Sequence, residues 1–231
     1  MIDVNFFIVT IEKLLVGLPL TLELMSISVT IGIVFAVVLA SIRIGGPMLA
    51  AYVVRVYVAF FRGTPLLVQL FIIYFGPGQF PVVRESILWP ILREPYWCAL
   101  LSLSAVTAAY GSEIIRGAVQ SVSWNDIEAA RAFGMSRVLV LRRIIFPIAL
   151  RRALPAYGNE IILMVKATSL ASTITLMEVS GIAYRLISET YRVVEVFVCA
   201  GLIYLAVNFF VTRLIASLEL KLAIPHREMT S

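Results

Sequence analysis

The residues in this chain that could do chemistry are few, and most of them sit in apolar surroundings. Glu160, preceded by Asn159, and Lys166 interrupt a stretch from about Ala153 to Met177 that is otherwise largely apolar. An ionisable group near the centre of a bilayer costs about 2.5–3.5 kcal/mol on insertion scales, so it normally faces a partner or a wet cavity. A carboxylate there can receive a guanidinium or ammonium by charge-assisted hydrogen bonds. That makes Glu160, with Asn159, a candidate contact for a cationic solute. The competing reading is a structural ion pair with Lys166, Arg151 or Arg152. Lys166 lies six residues on, about 240° round a helix, so it is not on the same face. Thr168, Ser169, Ser172 and Thr173 add hydroxyls, which commonly hydrogen-bond between helices; Ser169 is kept as a pathway residue. Glu113 and Arg116, three apart, can meet on one helical face as a structural pair or as a gate.

Other chemistry is missing. A phosphate-cradling loop needs Gly-rich backbone followed by Lys and Ser or Thr, but the three lysines precede Leu14, Ala167 and Leu222. No nucleophile elbow or His-based acid-base pair is present, and the only histidine, His226, lies in the tail. No cluster has metal-ligand spacing. Cys98 and Cys199 lie in apolar stretches and read as packing residues with no disulfide. The chain is not expected to be an enzyme or to bind a cofactor itself. Uphill transport by ATP would place hydrolysis on another chain.

The elements that must position these groups are membrane helices. Of 231 residues, 61% are hydrophobic and 14% charged, against about half and a quarter in soluble domains. The expectation is an all-α integral membrane protein with five transmembrane helices in one domain over residues 1–231. Leu24 to Ile42 is uncharged for 19 residues, about the length a bilayer core requires. A second span runs from about Ala50 to Phe75, its first half amphipathic and interfacial, interrupted at Pro65 and ended by Gly76-Pro77-Gly78. A third runs from Pro95 through Ser112, Glu113 and Arg116. A fourth covers Ala153 to Met177, and a fifth contains the uncharged run Val196 to Thr212. Trp89 and Trp97 suit a membrane boundary. Residues 3–15 read as a short interfacial helix, with Asp3, Glu12 and Lys13 the wrong charges for a removable signal.

Basic residues set the orientation. With the N-terminus outside, inner segments hold 13 (Arg43, Arg55, Arg62, Arg116, Arg131, Arg137, Arg142, Arg143, Arg151, Arg152, Arg213, Lys221, Arg227) and outer ones 5 (Lys13, Arg84, Arg93, Arg185, Arg192). The C-terminus is then cytoplasmic. So is the polar loop of about residues 117–152.

Within that loop, Ser123 and Asp126 resemble a capping box opening a helix near Trp124. Gly134 suits a left-handed stop and Ser136 caps a second short helix running to Pro147. Two short helices bent at a glycine make a knob suited to being held by another protein, or a loop held to anionic lipid by Arg131, Arg137, Arg142 and Arg143.

The spacing Glu128-Ala129-Ala130, Gly134, Ile144 and Pro147 resembles the EAA loop of permease subunits in bacterial ATP-binding-cassette importers, with Phe146 standing where that pattern usually has Leu. Phe61-Arg62-Gly63-Thr64-Pro65-Leu66-Leu67-Val68-Gln69, Glu113-Ile114-Ile115-Arg116-Gly117-Ala118 and Lys166-Ala167-Thr168-Ser169-Leu170 look like the polar amino acid permease family, its histidine, lysine, arginine and octopine branch. The resemblance implies a type I importer fold in the bacterial inner membrane and a coupling helix, Glu128 to Phe133, entering a groove on a cytoplasmic ATPase dimer. Glu128, Ala129, Ala130, Phe133 and Gly134 are then the coupling residues. It also implies a periplasmic substrate-binding protein, a second permease subunit (a related but different chain in preference to a second copy of this one), and ATP used only by the partner. Lipid surrounds the chain, and no nucleic-acid partner is expected. The rival readings are an ion-gradient-driven carrier using Glu160 or Glu113 as proton site, and a non-transporting scaffold.

Overall fold

A computed structural model describes residues 4–222; His226 and Arg227 lie outside them. All its regular elements are helical. They are α1 (Val4–Leu15), α2 (Leu18–Gly45), α3 (Met48–Gly63), α4 (Leu66–Phe75), the single turns α5 (Pro81–Arg84) and α6 (Trp89–Leu92), α7 (Pro95–Gln120), α8 (Trp124–Ala132), α9 (Arg137–Val140), α10 (Phe146–Ala167), α11 (Val179–Thr190) and α12 (Val193–Leu222). Three of them, α2, α7 and α12, are long and apolar enough to cross a membrane, and two bent pairs bring the candidates to five.

The centre is α7 against α2. Ser28, Gly32, Ala36 and Ala40 recur every fourth residue on the buried face of α2. A stripe of small residues lets helix backbones approach closely where lipid supplies no hydrophobic drive between helices. A Cβ on Gly32 would lie 2.5 Å from Thr107, and one on Gly111 would lie 2.9 Å from the Ala36 Cβ. A second cluster, built on Leu14, Val179, Ala183, Val196 and Cys199, joins α1 and α11 to α12. The helix expected over residues 3–15 is therefore present as α1, with Thr10 and Leu14 buried.

The expected second span is broken more sharply than an interruption at proline implied. α3 and the helix after it are bent by 108°. Thr64 is extended, as a residue before proline prefers. Buried Gln69 supports the corner: its Nε2 donates to the carbonyls of Phe61 (3.0 Å) and Thr64 (3.0 Å) and to Thr64 Oγ1 (2.7 Å).

The helix that carries the fourth span begins well before Ala153. It emerges from α9 through a π-turn, Leu141–Ile145, and continues as α10. Pro147 therefore ends no helix; it sits in the first turn of α10, where a missing N–H is tolerated. α10 passes into a 3₁₀ segment, Thr168–Ile174, and a 48° bend leads to α11. Hydropathy does not reveal α11, because Glu178, Arg185 and Glu189 break its apolar run.

Candidate functional site

The polar loop forms one short helix, α8, followed by the left-handed glycine that was expected. Ser123 occupies the N-cap position but its side chain makes no capping bond, so the capping box is absent. Gly134 has φ +78°, a region glycine enters without a Cβ penalty. Ser136 Oγ accepts from the Leu139 N–H at 3.4 Å, as its cap position requires. The second helix is not a separate short one. It is the base of the α9–α10 rod, so the loop is a single helix hinged on a long one. Glu128 and Ala129 are exposed, whereas Ala130 is buried, where α8 packs on α9 and the π-turn. Slimness at Ala130 therefore serves the chain's own packing and not an outer contact. Phe133 is 86% exposed and Trp124 63%, with the Arg131 guanidinium 5.5 Å from the Trp124 ring centroid. Two bare aromatic rings on a polar loop are a surface waiting for cover.

α10 carries the intramembrane charges and separates them. Glu160 is buried, Asn159 exposed, and Lys166 exposed on a different face, as 3.6 residues per turn dictates. Among the described residues Glu160 makes no ion pair with Lys166, Arg151 or Arg152. Arg152 is spent on the Ser121 carbonyl. The charged group acting on Glu160 is Arg62, which also lies 5.1 Å from the Tyr110 ring centroid. Ser169 does not join Glu160; it lines a cavity of about 340 Å³ with Lys166, Gly201, Tyr204, Leu205 and Asn208. The three residues read as one pathway thus occupy different faces.

Glu113 and Arg116 do meet. Arg116 donates from Nη2 (2.7 Å) and Nε (3.1 Å) to Glu113 Oε2, while Nη1 donates to Gln120 Oε1 at 2.5 Å. Arg43, from the end of α2, pairs with the other oxygen, Oε1. Two guanidiniums clamp one carboxylate between α2 and α7. α2 and α7 run parallel, with Glu23 beside Tyr96, Gly32 beside Thr107 and Ala36 beside Gly111, so the inner end of α2 brings Arg43 level with Glu113.

Glu178 was missed altogether. It is fully buried and caps α11. Its oxygens accept from Ser180 N (3.0 Å), Gly181 N (2.9 Å), Tyr204 Oη (2.6 Å) and Thr21 Oγ1 (3.4 Å). These bonds tie α11 to α2 and α12. Its position one residue past the expected end of the fourth span hid it from a search for charges within spans.

A stack of membrane helices, with a hinged polar loop at one end and isolated charges within, is the shape of a transport subunit. Residues 28–224 match the family described as "Binding-protein-dependent transport system inner membrane component", and the chain belongs to it. It is 56% identical over 228 residues to the octopine transport system permease protein OccM of Rhizobium meliloti, covering 99% of this chain and 93% of that one. Identity to the nopaline transport system permease protein NocM of Agrobacterium fabrum is 53% (94% and 90% covered). To the arginine ABC transporter permease protein ArtM of Haemophilus influenzae it is 40% (89% and 90%). Among solved structures, one described as an amino acid ABC transporter with histidines superposes with TM-score 0.85 at 31% identity, covering 96% of this chain and 99% of that one. An inward-facing MetNI methionine ABC transporter shares the fold alone, with TM-score 0.74 at 16% identity and coverage of 92% and 97%.

Proposed function

We propose that this chain is the permease subunit of an ATP-driven importer that carries basic amino acids or opines into the cytoplasm, with its N-terminus periplasmic and its C-terminus cytoplasmic. The observation that carries the reading is the exposed α8–Gly134 hinge, continuous through α9 and the π-turn with the rod that holds Glu160 and Lys166. A motor gripping Phe133 and Glu128 moves α8, and the rod transmits that movement to the intramembrane charges. ATP hydrolysis belongs to an ATPase dimer, and a periplasmic binding protein delivers the solute. A second, different permease subunit completes the pathway; only 22% of the apolar windows of α2 and α12 is buried, leaving room for it and for lipid.

The named relatives carry octopine, nopaline and arginine, all guanidinium compounds, which supports a carboxylate such as Glu160 as the contact for the cationic end. Glu113 with Arg116 and Arg43 serves as a clamp near the cytoplasmic mouth. The experiment is uptake by the assembled complex in proteoliposomes across a panel of amino acids, with and without ATP. Gly134→Trp, which cannot adopt the left-handed turn without strain, is expected to release the ATPase on purification and abolish uptake. Uptake of full rate in Gly134→Trp would remove α8 from the coupling path.

A further inference from the structure

The inner ends of α2 and α7 gather more positive charge than Glu113 can neutralise. Arg43 and Arg116 share that one carboxylate. Arg116, Arg55 and Arg62 are the charges that act on Arg43. Arg62 is turned towards the Tyr110 ring and Glu160, but Arg55 is exposed and has no ion pair among the described residues. Arg43, Arg55 and Arg116 thus set three guanidiniums against one carboxylate, leaving two positive charges unmatched. Glu113 and Arg116 lie about 27–32 Å from the start of α7 at 1.5 Å per residue, close to the thickness of a hydrocarbon core. With Trp97 at one boundary, these arginines are level with the phosphates of the far leaflet.

α3 starts at the same level. The helix after it packs on α7 and stands at 108° to it, so α3 runs across the bundle and not along it. Val54 and Val58 are buried against the bundle, whereas Met48, Leu49, Tyr52, Val53, Val56 and Phe60 are exposed. At 3.6 residues per turn these side chains form one stripe about 140° wide, with Arg55 bordering it.

A basic cluster bordered by an apolar stripe matches an amphiphile. We propose that this corner binds an anionic phospholipid, with Arg55, Arg43 and Arg116 holding its phosphate and an acyl chain laid along the α3 stripe. Guanidiniums meet phosphate by charge-assisted, often bidentate, hydrogen bonds, and clustered basic residues at a membrane surface draw anionic lipid. A free anion would leave the stripe bare. A zwitterionic head would bring a further cation to a place already in excess, and an anionic head brings none. The proposal goes beyond the importer reading and takes from it only the orientation, which puts the site in the cytoplasmic leaflet.

The test titrates lipid into the assembled complex in detergent. Phosphatidylglycerol is expected to raise the thermal unfolding midpoint and to stay bound in native mass spectrometry, and phosphatidylcholine to do neither. Arg55→Gln is expected to raise the phosphatidylglycerol concentration that gives half the shift roughly fivefold, and Arg55→Lys to keep it close to that of the intact chain. Arg151→Gln, which removes another exposed arginine, is the control for general surface charge and is expected to leave it unmoved. An equal shift with phosphatidylcholine or with inorganic phosphate would overturn the site. So would an Arg55→Gln titration that matches the intact chain, or an Arg151→Gln effect as large as that of Arg55→Gln. Absence of retained lipid also overturns it, since a second subunit then covers the stripe. A complex that imports arginine but shows no preference for phosphatidylglycerol removes the site and leaves the importer reading. One that binds phosphatidylglycerol through Arg55 but imports no amino acid or opine does the reverse.

Discussion

At the scale of residues, the buried carboxylates divide by how fully they are met. Glu178 accepts four hydrogen bonds at the junction of α2, α11 and α12, so it is a fastening. Glu178→Gln replaces an anionic acceptor by an amide that cannot accept at both terminal atoms. The expected cost is about 1–3 kcal/mol, read as a lower thermal unfolding midpoint of the purified complex. Glu160 has no such set and faces Arg62 only through space. For Glu160→Gln the expectation is the reverse pattern: assembly and unfolding midpoint nearly unchanged, uptake of arginine-like solutes weakened by roughly tenfold or more. Unchanged uptake kinetics in proteoliposomes would take Glu160 out of the pathway.

At the scale of elements, what the chain's letters reveal follows hydropathy and its interruptions. α2 and α12 were readable because their uncharged runs are as long as a bilayer core. Gly134 was readable because a polar helix followed by glycine has one common ending. The π-turn was not, since it depends on how residues 141–145 meet Pro147, and no composition signals it. α11 was lost because its fastening carboxylate and surface charges erase the apolar run. The corner at Thr64-Pro65 was visible as a proline, but its angle is set by Gln69, a polar side chain whose partners only the fold supplies. The contact of α2 with α7 gives the sharpest test at this scale. Gly32→Val drives a side chain into Thr107, where a Cβ alone would sit at 2.5 Å. Overpacking of this kind costs about 1–3 kcal/mol, so a lower unfolding midpoint and poorer assembly are expected, whereas Ala105→Val, on the far side of α7 from that contact, is a milder comparison.

At the scale of the whole molecule, the proposed function gives the helices the roles of route and lever and leaves the work to a separate motor. The exposed Phe133 and Trp124 rings and the positive hinge at Gly134 make sense together when a cytoplasmic partner covers them. In the proposed reading, recognition of the cationic end by Glu160 is one stop along a path that the rod of α9 and α10 rearranges. The direct measurement is accumulation of labelled arginine or opine in proteoliposomes containing the full complex, its ATPase included, comparing the intact chain with one lacking residues 127–136. Accumulation that requires both ATP and the ATPase, and that disappears with the deletion, is the predicted result. Accumulation by this chain alone without ATP, or full ATP-dependent uptake after the deletion, would contradict the account.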